Sequence, residues 1–361
     1  MENMGINPEL WKDKRVFLTG HTGFKGGWMA LALNNLGAKV FGYSLAPSSR
    51  AFFFRKANVN SYIKKSVFGD VRDLEHLREA LKESDADIVI HMAAQAIVQR
   101  SYKNPLETYS TNVLGTANIL EASLSVPNIK AIINVTTDKC YENNEWYWAY
   151  REEEKLGGKD PYSSSKACSE IISHAYRESF LMEKNISLAT ARAGNVIGGG
   201  DWAEDRLVPD IVRALLQGKT PEIRNPSAVR PWQHVLEPVT GYLLLAQALY
   251  LEGNKFAEAW NFGPEQRNTL DVDTLVKLML RKWGEGENVA ITKEQFFPEA
   301  GLLRLDSSKA QARLKWIPVL DIEKTIEMTV EWYKRSHESE DLEQFSLGQI
   351  KEYLELVKSY G

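Results

Sequence analysis

Tyr162 and Lys166 stand four residues apart in Tyr162-Ser-Ser-Ser-Lys166, a spacing that puts both side chains on one face of a helix. Pro161, just before them, suits a first helical turn. A free phenol titrates near 10 and is mostly protonated at neutral pH, but a neighbouring ammonium favours the phenolate. The pair therefore offers a base for a substrate hydroxyl. An isolated Tyr-x-x-x-Lys is just as readily an ordinary surface pair. What sets this one apart is Thr136-Thr137-Asp138-Lys139 upstream, at the end of a β-branched run, where Thr137 can hydrogen-bond the same hydroxyl. Hydroxyl, phenol and ammonium together suit oxidation of a carbinol carbon, the proton leaving oxygen as hydride leaves carbon.

Hydride needs an acceptor, and Gly20-His-Thr-Gly23-Phe-Lys-Gly26 points to one. It follows the first β-branched run and opens a helical stretch over 28–36, so its glycines let the backbone approach a pyrophosphate at a helix amino terminus. The spacing is G-x-x-G-x-x-G rather than G-x-G-x-x-G, and its place between strand and helix makes dinucleotide binding the expectation. Gly20, Thr22, Gly23, Phe24 and Gly26 are expected to hold the cofactor. So are Asp70 and Val71 after the third strand, Ala93 and Ala94 after the fourth, and Tyr162 and Lys166 themselves. Asp70 can accept a hydrogen bond from an adenine amino group. The second strand ends at Tyr43-Ser44 without the acidic residue that usually takes the ribose hydroxyls of NAD. Arg50, several residues further on, reads as an exposed arginine rather than a partner for a 2′-phosphate, so NAD is the expected cofactor.

These residues have to be positioned by a scaffold. Short β-branched runs at 15–19, 39–43, 88–91, 132–136 and 186–190 alternate with helical stretches, the rhythm of a parallel sheet covered on both faces. The fold class is α/β: a doubly wound Rossmann-type parallel sheet, with ligands at the carboxyl ends of its strands, joined to a smaller mixed α/β substrate-binding lobe. The first domain, residues 1–194, holds the cofactor and the catalytic Thr, Tyr and Lys. Residues 195–361 form mainly the second lobe, with helical stretches at 207–217, 235–251, 272–283 and 322–334, and the boundary is expected to be discontinuous, some later segments returning to the first domain. The last helical stretch, 342–358, is charged on one side and reads as a surface helix. The aromatic run Trp146-Tyr147-Trp148-Ala149-Tyr150 reads as packing against a second subunit in preference to a cover over the site.

Composition narrows the partners. The 361 residues are 43% hydrophobic and 25% charged, with a net charge of -4, which gives no basic field for nucleic acid. No apolar stretch has the length of a membrane span or a signal peptide, so the expected compartment is the cytoplasm. Two cysteines are too few for a disulfide framework or a metal cluster, and no metal site is expected.

Together with Asp138-Lys139, the motifs Arg192-Ala-Gly-Asn195, Gly198-Gly-Gly-Asp-Trp202 and Arg230-Pro-Trp-Gln-His234 resemble the CDP-glucose 4,6-dehydratases, extended short-chain dehydrogenases/reductases, over nearly the whole chain. The resemblance implies conversion of CDP-D-glucose to CDP-4-keto-6-deoxy-D-glucose, a step toward dideoxysugars of bacterial surface polysaccharides. It implies Tyr162 as the base at the 4-hydroxyl, Asp138 as the acid that protonates the leaving 6-hydroxyl, and a homodimer or homotetramer built on the Tyr/Lys helix. Lys139 stands where the dTDP-glucose dehydratases carry a Glu as the carbon 5 base. Three arrangements are open: Asp138 and Lys139 share protons, their side chains point apart, or Lys139 stabilises an enolate while another group is the base. Asn195, Arg206, Arg224, Arg230 and Arg304 are the expected substrate contacts, arginine suiting a pyrophosphate, and His234 reads as a packed histidine. Other sugar-nucleotide 4,6-dehydratases and 4-epimerases share Thr137, Tyr162 and Lys166. A nucleotide-sensing protein on the same fold would be free to lose them.

Overall fold

A computed structural model describes residues 5–48, 52–292, 296–338 and 341–360. Its strands are β1 (Arg15–Thr19), β2 (Lys39–Ser44), β3 (Lys65–Phe68), β4 (Ile88–His91), β5 (Ala131–Val135), β6 (Ser187–Ala193), β7 (Asn195–Ile197), β8 (Glu222–Ile223), β9 (Val229–His234), β10 (Ala259–Phe262), β11 (Thr269–Asp271) and β12 (Ala290–Ile291). Seven of them form one parallel sheet in the order β10-β6-β5-β4-β1-β2-β3. The chain leaves β1 toward β2 and β3, then crosses to β4 on the other side. That reversal opens a crevice beyond the carboxyl ends of β1 and β4.

The strands read as continuous apolar runs because both faces of the sheet are covered. Val16 and Leu18 of β1 join one buried cluster with Ile88, Ile90, Ile133 and Val135. Phe17, between them, joins a second cluster with Val89, Ile132 and Leu188, so alternate side chains feed opposite cores. At the edge of the crevice Thr19 Oγ1 bonds His91 Nδ1 at 2.8 Å and accepts the backbone N–H groups of Met92 and Ala93 at 3.0 and 3.1 Å. This threonine fixes where the chain leaves β4.

The second lobe holds a three-stranded sheet, β11-β9-β7, and a two-stranded one, β12-β8. Between them the chain returns to the first lobe. Helix Leu236–Glu252, buried along most of its length, packs on β5 and β6, and β10 then adds an edge beside β6. Helix Leu342–Tyr360 buries one face through Leu342, Ser346, Gln349, Ile350 and Tyr353. Tyr62 donates to Glu343 at 2.6 Å and Trp332 to Ser346 at 2.9 Å, so this helix is bonded to both lobes rather than merely resting on the surface.

Candidate active site

One cleft of about 1550 Å³ runs from the glycine turn, across the carboxyl edge of the sheet, into the second lobe. Its closed end is backbone. Gly20 sits at φ +79°, and a Cβ there would meet the backbone nitrogen of Ala93 at 2.9 Å. A Cβ on Gly26 would lie 2.1 Å from the carbonyl oxygen of Gly20, so neither position admits a side chain. Helix Phe24–Asn35 starts at Gly23 with no side-chain cap, leaving its positive end open to an anion. The turn thus fits a dinucleotide pyrophosphate.

Gly20, Thr22, Gly23, Phe24, Gly26, Asp70, Val71, Ala93, Ala94, Tyr162 and Lys166 all line this cleft. Thr22 Oγ1 and Ser44 Oγ share a hydrogen bond at 2.7 Å. Arg72 forks onto Asp70, Nη2 at 2.6 Å and Nε at 3.0 Å from Oδ2, and those hydrogen bonds hold the Asp70 carboxyl below its usual range. Asp70 reaches the cleft as a paired carboxylate. Arg50 lies outside the described residues.

At the middle of the cleft, helix Pro161–Tyr176 begins with Asp160 capping the N–H of Ser163 at 2.9 Å, which places Tyr162 and Lys166 on its inner face. Burial pushes the Tyr162 phenol up to about 12, against a hydrogen bond with Thr137 that pulls it down. Among the described residues no hydrogen bond joins Tyr162 to Lys166. The Lys166 ammonium donates instead to the Val135 carbonyl at 3.1 Å, and burial lowers its own pKa to about 8. The i, i+4 spacing thus brings phenol and ammonium to one pocket, with the strand-end carbonyl of Val135 taking the lysine's hydrogen bond.

Asp138, Lys139 and Cys140 form a single 3₁₀ turn after β5. Oδ1 of Asp138 accepts from Thr137 at 3.0 Å and from the Lys139 ammonium at 3.0 Å, and Lys139 also donates to Asn195 Oδ1 at 3.2 Å. The two side chains point together, which excludes the arrangement in which they part. Lys139 lines the cleft, whereas Asp138 is fully buried behind it with Oδ2 unpartnered.

Of the expected substrate contacts, Asn195, Arg206, Arg224 and Arg230 line the cleft and Arg304 does not. Arg206 is bound to Asp201 at 2.8 Å and Arg224 to Asp205 at 2.6 Å. Arg230 is held by the carbonyl oxygens of Val229, Ala300 and Gly301, and among the described residues no carboxylate pairs with it. His234 is fully buried and its Nδ1 accepts the N–H of Leu236 at 3.4 Å. In the aromatic run, Tyr150 stacks on Tyr141 and Trp146 at 5.1 and 5.4 Å. Tyr147 and Trp148, by contrast, are 83% and 73% exposed, so only part of the run packs within the chain.

Sequence reasoning passed over Lys25, inside the glycine turn. It lines the cleft, and burial, together with the charges of Arg206, Lys166 and Lys139, brings its pKa down to about 7. The available signal was a lysine in a helix start that is otherwise glycine and apolar. Also missed was the segment 296–301, whose Phe297 stacks on Tyr102 at 4.4 Å while Gln99 bonds its backbone at 3.0 and 3.1 Å. This contact joins the two lobes beside the cleft.

The family model for GDP-mannose 4,6 dehydratase matches residues 17–329. The chain is 47% identical over 354 residues to the CDP-glucose 4,6-dehydratase of Salmonella typhimurium, covering 97% of this chain and 98% of that one. It is 29% identical over 269 residues to a dTDP-glucose 4,6-dehydratase of Streptomyces antibioticus, covering 74% and 76%. Among solved structures, the dTDP-glucose 4,6-dehydratase of Streptomyces venezuelae with NAD and TYD bound superposes with a TM-score of 0.77 at 24% identity, over 90% of this chain and 98% of that one. The UDP-glucose 4-epimerase of Thermotoga maritima with UDP-glucose gives 0.77 at 22% identity, over 89% and 99%. Those two structures bear on the fold alone. With the glycine turn, the Thr137–Tyr162–Lys166 pocket and the family match now in place, the chain belongs to the GDP-mannose 4,6 dehydratase family of extended short-chain dehydrogenases/reductases.

Proposed function

We propose that this protein is an NAD-dependent hydro-lyase that converts CDP-D-glucose to CDP-4-keto-6-deoxy-D-glucose. The observation that carries the reading is the 47% identity to a CDP-glucose 4,6-dehydratase over nearly the full length of both chains, met by a site with the groups the reaction needs. Tyr162 takes the proton of the 4-hydroxyl while Thr137 holds that oxygen. NAD, held at the turn formed by Gly20, Gly23 and Gly26, would supply the hydride acceptor for carbon 4 and the hydride donor for carbon 6. The new ketone acidifies the carbon 5 hydrogen, and the 6-hydroxyl leaves as water.

Asp138 and Lys139, joined at 3.0 Å, move the protons of that elimination as a unit. Lys139 is the member on the cleft wall, and Asp138, with one unpartnered oxygen, is the acid behind it. Arg230, which among the described residues forms no ion pair with a carboxylate, is the leading partner for the substrate pyrophosphate, and Arg206 and Arg224 line the path beside it. Asn195 holds Lys139 and faces the sugar. Asp70 accepts from the adenine amino group. The absence of an acid at the end of β2 leaves ribose recognition to other groups, and nothing basic directly follows that strand, so NAD is preferred to NADP. Among the described residues no helix is long and apolar enough to cross a membrane. We place the enzyme in the cytoplasm, as a homodimer or homotetramer, in dideoxysugar and O-antigen synthesis.

A substrate deuterated at carbon 4 tests the reaction. The label is expected at carbon 6 of the product, with no net NADH, and in deuterium oxide the carbon 5 position takes solvent label. A 4-epimerase returns the label to carbon 4, and a simple dehydrogenase releases reduced cofactor with turnover. Nuclear magnetic resonance of the product tells these apart, and label anywhere but carbon 6 overturns the dehydratase reading.

A further inference from the structure

The turn that carries Thr137, Asp138 and Lys139 is tied at both ends to one buried ion pair. Arg192 of β6 meets Glu170, four residues beyond Lys166 on the catalytic helix, at 2.8 Å, with both side chains under 5% exposed. Just before the turn, the Thr136 hydroxyl donates to Oε1 of Glu170. On the other oxygen Glu170 accepts from Thr190 at 2.6 Å. Just after the turn, Arg192 Nη1 donates to the Tyr141 hydroxyl at 2.9 Å and to the Glu152 carbonyl at 2.9 Å, and its guanidinium lies 4.9 Å from the Tyr141 ring centroid. The Tyr141 hydroxyl itself donates to Asn261 Oδ1 of β10 at 2.7 Å.

A buried ion pair is a poor source of stability, since burying two charges costs about what their attraction returns. What this pair does supply is direction. Its partners lie on β6, on the catalytic helix and on both flanks of the turn, and each lone pair or N–H selects one placement of its neighbour. We propose that Glu170, Arg192 and Tyr141 are a positioning clamp for the reaction: Thr136 anchors the oxidation side of the turn, next to Thr137, and Tyr141 anchors the elimination side, two residues beyond Lys139. None of the three has to touch substrate for this. The inference rests on the dehydratase reading and on the division of work between Thr137 and the Asp138–Lys139 pair.

The two anchors can be released separately. Tyr141→Phe keeps the ring stacked on Tyr150 and beneath Arg192 but removes the hydroxyl. Thr136→Val keeps the shape and removes the bond to Glu170. In single-turnover, rapid-quench experiments on the holoenzyme with CDP-D-glucose, Tyr141→Phe is expected to slow elimination on the order of 10-fold or more while carbon 4 oxidation stays within about threefold, so a 4-keto-glucose nucleotide builds up. Thr136→Val is expected to slow oxidation at least as much as elimination. A merely structural role would lower both steps together in both variants. If Tyr141→Phe partitions as the wild type does, the clamp is wrong, and if that variant does not fold, unchanged rates in Thr136→Val overturn the proposal equally. Failure of the wild-type enzyme to dehydrate CDP-D-glucose would instead sink the dehydratase reading.

Discussion

Tyr162 is a weak acid in the protein itself, its phenol raised to about 12 by burial, so it serves as a base only once a neighbouring positive charge favours the phenolate and its own proton has left. That suits a group whose work is proton transfer in the transition state rather than substrate binding. Tyr162→Phe should therefore lower kcat by about 100- to 10,000-fold while moving KM little, and near-normal turnover in steady-state assays would remove the residue from the mechanism. Tyr162, Lys166 and Thr137 were legible in the sequence because a helical repeat and a strand end determine where they meet. Asp138 and Lys139 were legible as a pair but not in their orientation. Consecutive residues of a single 3₁₀ turn have no periodicity to order them, and it is Asn195, far along the chain, that draws Lys139 to the cleft wall at 3.2 Å. Arg304 does not line the cleft, and a lone arginine carries no local signal of which surface it faces.

At the scale of elements, the glycine turn works because backbone packs on backbone. A methyl group on Gly26 would sit 2.1 Å from the Gly20 carbonyl oxygen, and no flexible side chain stands there to move aside. Gly26→Ala should force β1 and helix Phe24–Asn35 apart, costing about 1–3 kcal/mol of stability and weakening NAD binding more than it weakens binding of the sugar nucleotide. Urea unfolding and separate titrations of the two ligands check this, and an unchanged NAD affinity would mean that the turn does not carry the pyrophosphate. Five strands of the large parallel sheet could be read from β-branched runs of four or five residues, since buried strands of that length keep a clear signature, whereas β10 (Ala259–Phe262), with no β-branched residue, was passed over. The small sheets of the second lobe could not. β7, β8, β11 and β12 are two or three residues long, shorter than any window in which alternation can be counted, and long-range pairing rather than local propensity makes them strands.

Across the whole molecule, a single carboxyl joins three distant segments. Glu237, 1% exposed near the start of helix Leu236–Glu252, accepts the N–H groups of Val319 and Leu320 at 2.9 and 2.7 Å on Oε1, and the Tyr353 hydroxyl of the C-terminal helix at 2.7 Å on Oε2. Burial nonetheless raises its pKa from 4.5 to about 7, so near neutrality the folded protein binds a proton there that the unfolded chain releases. The stability from that proton is fully present below about 4.5 and is lost as pH rises through about 7. Burial acts oppositely on the imidazoles, holding His21 at about 4 and His91 and His234 at about 3, below their ordinary 6.5. The unfolded chain therefore gains protons there below pH 6.5, and these groups make the fold more stable as pH rises. The wild-type profile alone mixes both trends, and a difference between proteins isolates one. Glu237→Gln keeps an oxygen for the two N–H groups and an amide to donate to Tyr353, but it cannot ionise. Relative to the wild type, it should gain on the order of 2 kcal/mol between pH 5 and pH 8, measured as the change in urea midpoint at each pH. A constant difference across that range would mean that Glu237 stays ionised in the fold, with the two backbone N–H groups and the Tyr353 hydroxyl outweighing the cost of burying its charge.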